Sequence, residues 1–295
     1  MSLFVFTLVL LSASIHVFWN ALVKKCEDKA SFAWLSHVIS VFAFLLPTFV
    51  ISRIYWPGLI SQQILLLACV SGLFEALYII TLYGAYETAD LSVVYPLSRG
   101  VAPIFILIVA GALVSDKVNL AGGIAVFIIL MGMTSVAFSV KNVSVDKSIA
   151  KGVLLAIITG AMIAGYHLVD RRAMEFSSRP NPLEYLFLMQ CFQLTFLTIW
   201  VISSSSRRSK IMHEWKFNKK GVIIVGLFTP LAYFLIIWAL RYGNVTYIAA
   251  GRNIGIVISV IVGFLIFREP VGKLRTIGAI LITIGIAGMI FFANS

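Results

Sequence analysis

The sequence predicts an all-α integral membrane protein whose ten transmembrane helices form two inverted five-helix repeats. Three observations carry that expectation. Of the 295 residues, 60% are hydrophobic and 12% charged, against about 45 to 50% and about 25% in ordinary soluble domains. Apolar runs of about 20 residues, enough to cross a hydrocarbon core about 30 Å thick, follow one another along the whole chain. The sequence also resembles itself at a shift of 153 residues, which lays Arg99 on Arg252, Asp116 on Glu269 and Gly132 on Gly285.

Taken in order, the spans fall at roughly 3–22, 32–51, 64–86, 91–114, 118–139, 150–170, 183–203, 220–242, 246–267 and 273–293. The first carries His16, Trp19 and Asn20 and has no basic leader or A-x-A-like site, so it reads as a retained helix rather than a signal peptide. Glu75 sits near the centre of the third span. The fourth contains Arg99 bracketed by Pro96 and Pro103, which remove backbone hydrogen bonds. The sixth ends in "YHLVD", Tyr166 to Asp170. The ninth holds Arg252 inside the G-x-x-x-G segment "GRNIG", a pattern expected to let helices approach closely. Between the seventh and eighth spans, "SSSSRRSKIMHEWKFNKK" reads as a solvated connection, the only long one.

Five spans per copy is an odd number, so the second copy enters the membrane upside down. The expected units are residues 1–143 and 144–295. Inverted repeats of this kind place a binding site at their interface, near the midplane and accessible alternately from either side.

The formal charge of +11 does not point to nucleic acid, because the basic residues lie between spans, where Lys and Arg set orientation. Fifteen fall in loops after odd-numbered spans and six in loops after even-numbered ones. That bias predicts a cytoplasmic segment from Ser203 to Lys220 and both termini outside. Cys26, Cys69 and Cys191 stand far apart and suggest neither a metal site nor a disulfide. No cofactor motif is present. G-x-S-x-G, Walker A and H-E-x-x-H signatures are absent, since His213 and Glu214 are followed by Trp215, Lys216 and Phe217. Nothing in the chain reads as an enzyme.

Two stretches answer one another: "TLYGAYETADLSVVYPLSRGVAPIFILIVAGALVSDK" in the first half and "IIWALRYGNVTYIAAGRNIGIVISVIVGFLIFREPVG" in the second. Together with "FWNALVKK" closing the first span, they resemble the drug/metabolite transporter superfamily, EamA type, over nearly the full length. "DLSVVYPLSRG", "TPLAYFLIIWAL" and "YHLVD" are similar to a branch linked by gene neighbourhood to phosphonate utilisation. The resemblance implies a ten-helix, multi-pass protein of the cell (inner or plasma) membrane that exchanges a small molecule by alternating access, as a monomer or homodimer. It also implies cytoplasmic termini, opposite to the charge bias. Where it leads one to expect an acid after the second-half arginine, the chain has Asn253.

Ionisable groups inside a bilayer cost from about 2.5 to over 10 kcal/mol, so each is a candidate for function. Arg99 and Arg252 lie about 5 Å from the midplane, on opposite sides if their helices run in opposite directions. Their planar forks suit carboxylate or phosphonate oxygens, with Tyr95 and Asn253 as hydrogen-bonding neighbours; a purely structural ion pair is the alternative. Glu75 could carry a proton or neutralise Arg99. His16, Trp19 and Asn20, and Tyr166, His167 and Asp170, present polar and aromatic faces at i, i+3 and i+4 spacing, either lining the site or serving as interfacial anchors and packing groups. The expectation that results is secondary transport of a small polar anion, such as an amino acid or a phosphonate- or phosphate-like metabolite, with protons as a candidate coupling ion. Proton-coupled efflux of cationic amphiphilic drugs and a non-transporting scaffold are the rivals.

Overall fold

A computed structural model describes residues 1–23, 26–55, 61–88, 91–137, 147–176, 180–265 and 272–292. Among them are α1 (Leu3–Val23), α2 (Lys29–Tyr55), α3 (Gln62–Thr88), α4 (Leu91–Leu113), α5 (Leu120–Ala137), α6 (Lys147–Glu175), α7 (Pro182–Ile202), α8 (Ser205–Leu240), α9 (Val245–Gly251), α10 (Ile254–Leu265) and α11 (Lys273–Phe292), and no strand. These helices account for all ten expected spans, with α9 and α10 sharing the ninth. Six contain stretches long and apolar enough to cross a membrane, and shorter apolar stretches occupy the first, fourth, fifth and ninth spans. The apolar surface lies on the outside as well: Phe42 is 71% exposed and Leu46 69%. A soluble protein would not present such large patches to water, whereas a bilayer solvates them.

Helices meet where small residues let backbones touch, and the meeting points recur along the chain. On α3, a Cβ at Gly72 would lie 2.7 Å from the Met189 carbonyl and 2.9 Å from Phe192 Cβ on α7. On α8, a Cβ at Gly226 would lie 2.7 Å from the Ser36 carbonyl and 2.8 Å from Ile39 Cβ on α2. Ser36 and Met189 are 153 positions apart, as are Ile39 and Phe192. Where α5 crosses α11, Gly132 meets the Gly278 carbonyl and Ile282, while Gly285 meets the Ala125 carbonyl and Ile129. All three pairs, 125/278, 129/282 and 132/285, again differ by 153. The helix contacts follow the same rule, since α3 packs on α6 as α8 does on α1, and α4 packs on α6 as α9 and α10 do on α1.

Two local expectations are corrected. The basic segment after the seventh span is not a solvated loop but the first part of α8, which bends at Asn218 (φ −128°, ψ 31°) before entering the bundle. Ile211, Glu214, Trp215 and Asn218 share its inner face at helical spacing. Ile211 and Trp215 pack against Phe32, Leu35, Val222 and Val225, and the buried Glu214 carboxylate accepts the Glu27 and Asp28 backbone N–H groups at 3.2 and 2.8 Å. Asp28 in turn accepts the Ser31 N–H at 2.8 Å and pairs with Lys210 at 3.3 Å. Burial pushes the Asp28 carboxyl up, but these donors outweigh it and hold it below the usual carboxylate range. The density of charge had hidden a helix whose outward face is basic.

The second correction concerns the glycines of "GRNIG". A Cβ at Gly251 or Gly255 would find its nearest neighbour at 3.5 Å, ordinary van der Waals contact. They do not permit a close helix approach. What this segment provides is an interruption of the helix.

Candidate functional site

The short helix that leads into the break, α9, is fixed at both ends. Upstream, Asn244 caps α9, its side-chain oxygen accepting the Thr246 N–H at 2.9 Å. Asp116, in the turn before α5, accepts the Val245 N–H at 2.6 Å and pairs with Arg171 at 2.7 Å. Arg171 also donates to the Leu240 carbonyl at 2.6 Å, so the ends of α6 and α8 and the start of α9 are tied together. Downstream, the Asn253, Gly255 and Ile256 N–H groups reach back three residues rather than four, to Ala250, Arg252 and Asn253 at 3.1, 3.2 and 2.9 Å. This tightening turns Arg252 and Asn253 out of the α-helical ladder. In α4, by contrast, the helix runs on through Pro96 and Pro103, so the prolines do not reproduce the break.

Arg99 and Arg252 line one small cavity together with His16, Asn253, Ala13, Gly255 and Ile256, with room for about one water. Each guanidinium meets a histidine from the first helix of its own half: Arg99 Nη2 lies 2.8 Å from His16 Nε2 and Arg252 Nη1 lies 2.8 Å from His167 Nε2. A guanidinium has only N–H donors, so both Nε2 atoms present lone pairs and the ring proton sits on Nδ1. In His167 that Nδ1–H meets the Ile163 carbonyl at 2.8 Å. Asn253 is 3% exposed, and among the described residues its Nδ2 has no hydrogen-bond partner. A buried amide donor without a partner is costly, and this one borders the cavity.

Behind Arg252 lies an aromatic and acidic layer. The Tyr233 ring sits under the guanidinium, 5.7 Å from Cζ. Tyr166 stacks on His167 with centroids 4.5 Å apart and meets Tyr78 and Tyr233 edge-on. Asp170 is 0% exposed and accepts the Ser71, Tyr185 and Tyr233 hydroxyls, the first two at 2.5 and 2.8 Å. It is therefore no interfacial anchor. Although it falls near the end of the apolar run, α6 continues past it to Glu175 and buries it against α3, α7 and α8. Glu75 is half-buried on α3, and among the described residues it forms no ion pair with either arginine. It does not neutralise Arg99 by contact.

Trp19 and Asn20 lie on α1 and Tyr95 on α4, but their side chains, like Glu269, fall outside the described residues. Tyr233, Tyr185 and Ser71 were not singled out by sequence. Among the described residues no group of three or more His, Cys, Asp or Glu is placed to hold a metal ion.

A polytopic helical bundle with two arginines and a histidine meeting on one small cavity is an arrangement that suits a membrane transport protein. Residues 150–291, just under half of the chain, match the model of the EamA-like transporter family, a match consistent with a multi-pass membrane protein of the drug/metabolite transporter type. A protein of known crystal structure has the same fold, with a TM-score of 0.70, 16% identity and coverage of 97% of this chain and 96% of that one. No curated protein matches the sequence.

Proposed function

We propose that the chain is a secondary transporter moving a small polar anion by alternating access, with Arg99 and Arg252 as its binding groups. The observation that carries this reading is the convergence of two guanidiniums and an unpartnered amide donor on one cavity. All three present N–H groups, and an oxyanion is what such donors can share. Asn253 hydrogen-bonds the anion beside Arg252. Tyr95, Trp19 and Asn20, on α4 and α1, are assigned to the same solute in this reading, and His16 and His167 hold the arginines. Tyr166 and Tyr233 buttress Arg252, while Glu75 and Asp170 balance its charge from the α3 and α6 side. Carboxylates, phosphonates and phosphate esters all fit this chemistry. A cationic amphiphile does not, because it would meet two guanidiniums first.

Residues 1–143 and 144–295 act in this reading as two inverted repeats. The contacts that recur at a spacing of 153 support it, as does the matching of His16–Arg99 by His167–Arg252. Since the cavity holds about one water, loading a metabolite requires the helices around it to separate; the link from Asp116 through Arg171 to Leu240 and Val245 is a contact that can close one side.

The test is a melting-temperature screen of amino acids, dicarboxylates, phosphonates and sugar phosphates on the purified chain. Arg99→Gln and Arg252→Gln should each weaken the best anionic hit about ten- to a hundredfold, the loss of a charge-assisted hydrogen bond worth about 1.5 to 3 kcal/mol. Lysine at either position should restore only part of the affinity, because an ammonium lacks the planar fork. Stabilisation by cations alone, unchanged in both glutamine variants, would overturn the reading in favour of drug efflux.

A further inference from the structure

We propose that His16 and His167 link anion binding to proton uptake, so that each anion is carried with at least one proton in the same direction; this rests on the anion reading above. The geometry that points to it is the pair of contacts in which an arginine donates to an imidazole Nε2 at 2.8 Å. The contact requires a lone pair on Nε2 and exists only while the ring is neutral. A proton from solvent that adds to that lone pair turns Nε2 into a second donor. Two donors then face one another, the hydrogen bond breaks, and the guanidinium turns toward the cavity that it already lines. The new Nε2–H and the released guanidinium together present donors to an oxyanion, which supplies the opposite charge. When the anion leaves, the proton returns to solvent and the Arg–His bond reforms. No other bond changes.

The surroundings tie this exchange to the anion, because a proton on either ring beside the two guanidiniums needs the anion's charge to offset it. His16 shares the cavity with Arg99 from α4 and Arg252 from the α9–α10 break. His167 faces Arg252, stacks on Tyr166, and meets the edge of Tyr233 from α8. Beyond these lie Asp170 one turn along α6, and Glu75 and Tyr78 on α3, while Arg99 acts on both histidines from α4. Asp170 already accepts three hydroxyls. Both histidines occupy the first helix of a half and both arginines the fourth span, so the device is present twice.

Sulfate tests the proposal, because it stays a dianion between about pH 5.5 and about pH 8, where histidine titrates. The full chain in detergent should bind sulfate more tightly as pH falls, by up to about tenfold per pH unit for each proton taken up. His16→Gln and His167→Gln keep an oxygen that accepts from arginine but cannot titrate, so each should flatten the slope with pH whatever its affinity at about pH 8. Calorimetry on the unaltered chain in two buffers of different ionisation enthalpy counts the same protons without a variant. Zero protons taken up, or a slope that survives in both glutamine variants, overturns the proposal. A slope that instead vanishes in Glu75→Gln moves the proton to Glu75 and overturns it equally. Sulfate binding that needs the arginines but shows no proton uptake refutes this inference alone, whereas the absence of any arginine-dependent sulfate binding refutes the anion reading as well.

Discussion

Asp170 shows how residues of one kind can be read only in company. From sequence it is an acid near the end of an apolar run, as suited to an interface as to a core. Its role becomes visible when Ser71, Tyr185 and Tyr233 arrive from three other helices with hydroxyls to donate. The two Arg–His contacts were similarly hidden, although the separations of 83 and 85 residues between histidine and arginine in the two halves were a signal. Arg99, Arg252 and Asn253 themselves were legible, because charge and amide in an apolar run have few bland explanations. Tyr233 was not, since a tyrosine in a membrane helix is ordinary. Tyr233→Phe keeps the ring beneath Arg252 and removes one hydrogen bond to a buried carboxylate. It should cost about 1.5 to 3 kcal/mol of stability, seen as a lower melting temperature, while changing anion affinity less than Arg252→Gln does. An affinity loss as large as that of Arg252→Gln would place the hydroxyl in the site instead.

Helices were legible wherever apolar residues ran to membrane length, and illegible where another force formed them. The basic start of α8 is helical because Ile211, Glu214 and Trp215 find partners on the α1–α2 turn and on α2, contacts that no local pattern announces. The glycines illustrate the converse error. "GRNIG" had the spacing of a packing motif, yet the backbone contacts occur at Gly132 and Gly285. Gly132→Ala and Gly285→Ala should therefore each lower the melting temperature, since the added methyl would overlap backbone atoms at 2.7 Å. Gly255→Ala should be tolerated in stability. Equal losses at all three positions would return "GRNIG" to the role of a packing motif. The two severe losses should also be similar in size, because Gly132 and Gly285 meet the same neighbours with the halves exchanged.

At the scale of the molecule, the spans and their number could be read from hydropathy alone, and the repeat from an arginine, an acid and a glycine in one register. The cavity could not, because it depends on a helix break at Arg252 and Asn253, where three backbone hydrogen bonds reach back three residues instead of four, rather than on the prolines that sequence brings forward. Orientation belongs to this scale too. The excess of basic residues, fifteen to six, predicts a cytoplasmic start of α8 and external termini. Reporters fused after Ser206 and at Ser295 should be active as cytoplasmic and external markers respectively, and a cytoplasmic signal at Ser295 would reverse the assignment.

The central claim, that two arginines inside the bundle carry an anion across the membrane, is tested most directly by counterflow in proteoliposomes loaded with the best anion from the melting screen. The unaltered chain should accumulate labelled anion transiently against an unlabelled internal pool, and Arg99→Gln and Arg252→Gln proteins, reconstituted at equal folded amounts, should lose that exchange by about tenfold or more. Undiminished counterflow in both variants, or exchange of a cation but of no anion, would contradict the account.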